Sequence, residues 1–222
     1  MIKLIVFDWN GALIADTQAA YETDTHVWRM IGRRGLDFKT YTDTIRIPVS
    51  EYYREHGISK ERLKRLSRKI SDAFHPFYEA RAKGVRTRRN ARALLEWIRR
   101  RGIEAIILSN HTTEGLESQL RRLKLEKFFS AVLTNSSKRA VMKKRNKKER
   151  LIEYLRKSSF KKNEILILGD SSEEAEAGKR AGIRTIAITG GYYSTRRLKA
   201  AKPDHLIHNL AEMIPIIKKL SS

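Results

Sequence analysis

Three short polar clusters in the sequence each follow directly on an apolar run: Phe7-Asp8-Trp9-Asn10-Gly11, Leu108-Ser109-Asn110, and Leu168-Gly169-Asp170-Ser171-Ser172-Glu173-Glu174. Singly, each is ordinary, because an Asp or Ser after a strand often only caps a helix or makes a turn. Together they set two carboxylates, Asp8 and Asp170, at the ends of two strands. If those strands are neighbours, the two anions repel unless a cation or a proton lies between them. Carboxylate oxygens are hard donors, and the cation that suits them is of the Mg²⁺ kind. The six histidines show no metal-ligand spacing such as a pair one helical turn apart; only His111, beside Ser109, stands where it could touch a ligand. Cysteine is absent, which excludes a disulfide scaffold, thiolate zinc sites and a cysteine nucleophile.

The elements that must position these clusters are legible as alternating patterns. Ile2–Phe7, Ile103–Leu108, Ala131–Thr134, Ile165–Leu168 and Thr185–Ile188 are short, β-branched apolar runs, each followed by a pattern of helical period. Ala91, Leu94, Leu95 and Ile98 form one apolar helical stripe, Leu116, Leu120 and Leu123 a second, and Leu151, Ile152 and Leu155 a third. A short strand at His205–Ile207 and a closing helix, which Pro215 is expected to bend, complete the chain. The fold class is therefore α/β, a Rossmann-like parallel sheet with helices on both faces. Residues 15–81 break the alternation with polar helical patterns (Ala19–Arg33, Lys60–Ala80) and no buried strand. They are expected to form an inserted helical cap, leaving residues 1–14 and 82–222 as the core domain. In open α/β sheets ligands lie outside the carboxyl ends of the strands, where all three clusters fall.

In this order and at these positions the clusters resemble the motifs of the haloacid dehalogenase superfamily, in particular its phosphoglycolate-phosphatase-like members with a helical cap. The resemblance covers nearly the whole chain. It implies that Asp8 is the nucleophile, that Ser109 with Asn110 binds the substrate phosphate, and that Asp170 and Glu174 are the acids of the last motif. The run Ala175 to Gly182 continues that motif closely. The phosphate-site lysine is expected at Lys147, after Asn146, with Lys143, Lys144 and Lys148 crowding the assignment. The resemblance further implies an Mg²⁺ cofactor held by Asp8, the Asn10 main-chain carbonyl and Asp170, with Glu174 reaching the metal through water or through Lys147. Trp9 and Gly11 complete the expected substrate-side residues. The implied reaction is hydrolysis of a small phosphorylated metabolite through an aspartyl-phosphate.

Asn10 departs from the pattern. The family's phosphatases carry there an Asp that protonates the leaving oxygen and then deprotonates water; an amide does neither, and such acid–base catalysis is worth ~10²–10⁴-fold. Three accounts fit: a phosphatase inactivated by substitution, a weakly active or binding-only member, or chemistry that needs no second acid. For the last, Asp8-Trp9-Asn10-Gly11 is similar to the motif of phosphonoacetaldehyde hydrolases, which also need a Schiff-base lysine in the cap, for which Lys60, Lys64 and Lys69 are available. The Gly169-Asp170 metal motif argues against a metal-free dehalogenase.

Of the 222 residues, 47 are Lys or Arg against 25 Asp or Glu, a net charge of +22. Such a field attracts polyanions, so a nucleic-acid partner is a second hypothesis, resting on the arginines from Arg86 to Arg101 and the basic run Lys138–Lys162. It is not favoured, because no nucleic-acid motif accompanies the charge. No apolar run reaches the ~18 residues of a membrane span, and a cytoplasmic location is expected.

Overall fold

The computed structural model describes residues 1–135 and 147–221. Six parallel strands, β1 (Leu4–Phe7), β2 (Glu104–Thr112), β3 (Ala131–Asn135), β4 (Ile165–Gly169), β5 (Arg184–Ile188) and β6 (His205–Ile207), form one sheet in the order β3-β2-β1-β4-β5-β6. The chain starts in the middle and winds outward to each side. The switch point between β1 and its two neighbours therefore opens a crevice above the carboxyl end of β1.

β1 is buried along its whole length, and its side chains alternate between two cores. Ile5 and Phe7 pack with Leu94, Leu95 and Ile98 of α5 (Ala91–Arg100), Leu116 and Leu120 of α6 (Thr113–Leu123), and the closing helix. Leu4 and Val6 pack on the other face with Leu151 and with Ala177 and Ala181. Those residues belong to α7 (Lys147–Lys157) and α8 (Ser172–Ala181). All the expected strands form, with ends shifted by at most four residues and the strand His205–Ile207 unshifted. β2 runs on through Ser109 and Asn110, and it is Thr112 that caps α6 by accepting from the Gly115 amide.

Between β1 and α5 come α1 (Thr17–Met30), α2 (Phe38–Thr44), α3 (Val49–Glu55) and α4 (Lys60–Ala82). They enclose a third apolar cluster in which Val27, Trp28, Tyr52, Tyr53, Ile58 and Ile70 are buried, and which also takes in Tyr193 and Leu198 of the β5–β6 connection. α9 (Thr195–Ala200) carries Leu198. The expected bend at Pro215 meets a simpler arrangement. A short 3₁₀ turn, Leu210–Glu212, leads into α10 (Met213–Ser221), so Pro215 lies in the first turn, where its missing N–H is not needed. Asn146, Lys143 and Lys144 lie outside the described residues. Among the described residues no helix is long and apolar enough to cross a membrane.

Part of the arginine cluster is committed to the fold itself. Arg88 donates to the carbonyls of Gly11 and Thr189 at 2.6 Å each, Arg92 donates to the carbonyl of Leu123, and Arg101 lies over the Trp97 ring.

Candidate active site

Asp8 is the first residue beyond β1. Its amide still bonds to the Leu168 carbonyl of β4, at 2.8 Å, which fixes the side chain beside the end of that strand. The chain then turns sharply, with Leu13 and Ile14 both donating to the Trp9 carbonyl. Gly11 sits in this turn at φ +70°, and a β-carbon there would overlap the Asp170 carboxylate and the Tyr192 ring. Only glycine fits so close an approach of backbone to site.

Asp170 follows β4. Ser171 and Glu174 then make a capping box at the start of α8, with Glu174 Oε2 accepting from both the amide and the hydroxyl of Ser171. The other oxygen of Glu174 accepts from Lys147 Nζ at 2.5 Å, and the same ammonium reaches Asp8 Oδ1 at 2.7 Å. Lys147, the first residue of α7, is thus buried as a bridge between the two acids, whereas Lys148 is a partly exposed neighbour of Glu149. Ligand oxygens of Asp8, Asp170 and Glu174 all lie within 4.8 Å of one another. An all-oxygen, buried acidic triad suits a hard divalent cation of the Mg²⁺ type.

Across the crevice, the Ser109 hydroxyl donates to Asn10 Oδ1 at 3.3 Å and accepts from the His111 amide. Asn110 donates to Glu173, and Arg150 holds β2 in place through the carbonyls of Ser109 and Leu133. Asp8, Asn10, Ser109, Asn110, Lys147 and Asp170 all line one cavity of about 190 Å³, roofed by α4 and the α2–α3 connection. His111 lines it too; it is buried against Gln119 and Glu79, and burial first, then the neighbouring His75, draws its imidazole down to about 4.

Trp9 is not brought to the cavity. It is wholly buried on the α6 side of the sheet, where its indole N–H donates to Gln119 at 2.7 Å and its ring meets Phe129 edge-on. The expectation of Trp9 as a substrate contact is corrected to a core role. Lys60, Lys64 and Lys69 are exposed and none lines the cavity, so no cap lysine among the described residues is available for a Schiff base.

The sequence reading missed Asp16, Tyr78 and Tyr192. Asp16 has no exposed surface, and it does not cap α1 although it directly precedes it. Its Oδ1 accepts from the Gly11 amide at 2.7 Å. Its Oδ2 accepts from Asn10 Nδ2 at 2.7 Å, from the Tyr78 hydroxyl at 2.6 Å and from the Tyr192 hydroxyl at 2.9 Å. Asn10 Nδ2 also donates to the Tyr78 oxygen at 2.7 Å. The amide is therefore the donor between a buried carboxylate and a phenol carried by α4. An acid eight residues after Asp8, at the entry to an insertion, was the signal available in sequence.

Crowding of acids sets the electrostatics. Burial, with Lys147 opposing it and Glu174 reinforcing it, leaves the Asp8 carboxyl at about 6. Burial and then the charges of Asp8 and Glu174 push Asp170 well above the carboxylate range. Glu173 is raised to about 7, chiefly by burial. Although burial pulls the Lys147 ammonium down, Asp8 and Glu174 carry it above its ordinary value. Acids with raised folded values hold more protons folded than unfolded, so their contribution to stability falls as pH rises from about 4 to about 7. His111 acts in the opposite sense between about 4 and 6.5. A cation favours the ionised acids. We therefore expect added Mg²⁺ to raise the melting temperature more near pH 7.5 than near pH 5.5; equal increments in thermal denaturation at the two pH values would contradict carboxylate ligation.

A family model described as haloacid dehalogenase-like hydrolase matches residues 5–188. A phosphoglycolate phosphatase from Synechococcus elongatus is 21% identical over 219 residues, 99% of each chain. The pyrophosphatase PpaX of Bacillus mycoides is 24% identical over 124 residues, and the match spans only 56% of that protein's length. Among solved structures, a haloacid dehalogenase-like hydrolase from Streptococcus pneumoniae superposes with a TM-score of 0.81 at 19% identity, covering 97% of this chain and 98% of that one. CbbY from Rhodobacter sphaeroides in complex with phosphate gives 0.69 at 21%, covering 96% of each.

Proposed function

The chain belongs to the haloacid dehalogenase-like hydrolases, and from that premise we propose that it is an Mg²⁺-dependent phosphatase of a small phosphorylated metabolite, working through an aspartyl-phosphate and slowed by Asn10. The observation that carries this reading is the buried Asp8 carboxylate at the cavity floor, with Lys147 at 2.7 Å and the acids Asp170 and Glu174 grouped with it. The curated relatives, named as phosphoglycolate phosphatases and pyrophosphatases, support it.

Asp8, Asp170 and the Asn10 main-chain carbonyl would hold the Mg²⁺, with Glu174 acting from behind through Lys147. When bound, the ion neutralises charge between an anionic nucleophile and an anionic phosphate. Lys147 neutralises further charge and keeps one oxygen of Asp8 fixed. Ser109 and Asn110 offer donors to the phosphoryl oxygens. The free Asp8 oxygen then forms the bond to phosphorus as the ester oxygen leaves with its electron pair. Asn10 cannot give that oxygen a proton, so solvent must. Water then attacks the aspartyl-phosphate, again without a base at position 10, releasing phosphate and regenerating Asp8. The helices α1–α4 act in this reading as a cap that shelters the crevice from water.

The test is Asp170→Asn. Mg²⁺ affinity by calorimetry should fall at least about tenfold, and phosphatase activity on an aryl phosphate should fall with it. The metal-free variant should be no less stable than the parent, because an amide of nearly the same shape adds no charge to the crowded acids. Unchanged Mg²⁺ affinity would remove the assignment of the metal site.

A further inference from the structure

The walls of the cavity carry information that its floor does not. On the cap side Ile45, Ile47, Val49, Ile70 and Phe74, with the ring of Tyr41, make an apolar stretch, and Ser71 and His75 are the neutral polar side chains beside it. Arg46 is the single Lys or Arg that the cap contributes to the described wall, and its guanidinium is engaged: Nη2 pairs with Glu55 at 2.5 Å and Nε donates to the Thr44 carbonyl. The cap's one carboxylate there, Asp24, accepts from the hydroxyls of Tyr52 and Tyr53 at 2.6 and 3.2 Å. Charge is thus concentrated at the floor and balanced within the cap wall above it.

Resting on the reading of the floor as a phosphate site, we infer that the substrate is a phosphate monoester whose leaving group is apolar, a single ring or a short branched chain, and not one bearing a second anion. A carboxylate or a second phosphate pushed against five apolar side chains loses its water and gains no free cation in exchange, which is costly. An apolar group instead gains from burial, roughly tenfold in affinity for each ~60 Å² covered. The volume, about 190 Å³ for phosphoryl and leaving group together, limits the leaving group to a small one, since a benzene-sized molecule alone takes an apolar cavity of ~150 Å³. Phe74 also stacks on the Tyr78 ring, at 5.8 Å between centroids and 7° between planes, and so presents a fixed aromatic surface above the floor.

The experiment measures binding apart from turnover, with non-hydrolysable phosphonates titrated calorimetrically into the full chain with Mg²⁺. Benzylphosphonate should bind at least about tenfold more tightly than phosphonoacetate or methylenediphosphonate. Val49→Arg and Ile47→Lys, both at half-buried positions, should each shrink that preference about tenfold by supplying the wall with a cation. Equal or tighter binding of either compound with an anionic tail, or no binding of any of the three, overturns the inference. If the phosphonates rank as expected but neither the parent nor Asn10→Asp hydrolyses phenyl phosphate, the pocket assignment stands and the hydrolytic reading fails. If phosphoglycolate is turned over faster than phenyl phosphate, hydrolysis stands and the inference falls.

Discussion

Asp8→Asn is expected to abolish turnover of phosphate monoesters, by about 10⁴-fold or more, while leaving the fold intact. The amide has nearly the shape of the carboxylate, so the packing between β1 and β4 survives. Its oxygen can still accept from Lys147, but it has no electron pair basic enough to displace an alkoxide from phosphorus. The effect reaches beyond the nucleophile, because the variant also removes one of the acids that would hold Mg²⁺. The intermediate separates these contributions. With an activated aryl phosphate the leaving group needs no proton, so the parent chain should be phosphorylated readily, whereas hydrolysis of the aspartyl-phosphate still lacks a base at position 10. Acid-quenched protein should therefore show a phosphoryl adduct on the peptide containing Asp8 within the first turnover, followed by slow steady-state release. Asp8→Asn should show neither adduct nor burst. An adduct on another residue, or full activity in the variant, would displace Asp8 from its role.

Much of this site was legible in the sequence because its parts follow strands directly. Asp8 and Asp170 directly follow buried strands and Ser109 lies towards the carboxyl end of β2, so once β1 is central, all three must share the crevice. Lys147 was harder to choose among the lysines around it; its burial between Asp8 and Glu174 distinguishes it from Lys148. The core place of Trp9 follows from the strand period. Ile5, Phe7 and Trp9 are successive odd positions, and that alternation puts the indole on the α5–α6 side of the sheet, away from the cavity. The meeting of Asp16 with Tyr78 was not legible, although the place of Asp16 at the entry to the insertion was. The two are 62 residues apart and meet only when the turn after β1 brings Gly11 onto Asp16 and α4 folds back over the crevice. The short helices α2 and α3 likewise have too few residues to display a period. They are held by Tyr41, Tyr52 and Tyr53, whose partners lie elsewhere in the insertion.

Those two residues change what Asn10→Asp should do. The substitution takes away the amide donor and sets a carboxylate about where Asn10 Nδ2 now lies, 2.7 Å from Asp16 Oδ2. Two carboxylates at that distance, one buried and one half-buried, cannot both be ionised, so they share a proton and titrate as a pair. Burial already raises the Asp16 carboxyl from its ordinary value, against the donors Tyr78, Asn10, Gly11 and Tyr192, and the loss of one of those donors raises the pair further. The proton the pair shares is one the new Asp can give as a general acid, at the cost of a stability that falls as pH rises through the pair's folded range. Turnover should rise ~10²–10⁴-fold: for an alkyl phosphate because its leaving group gains a proton donor, and for an activated aryl ester because the slow hydrolysis of the aspartyl-phosphate gains a base. Adding Asp16→Asn should keep much of the gain but move the acid requirement to lower pH, visible as a shifted alkaline limb in the pH–rate profile, because the new carboxyl then loses its repelling partner. Adding Asp8→Asn should erase the gain entirely. Should Asn10→Asp leave turnover of both ester types unchanged while Mg²⁺ still binds, the missing acid is not what limits the chain, and a phosphate-binding role without hydrolysis takes the place of the phosphatase reading.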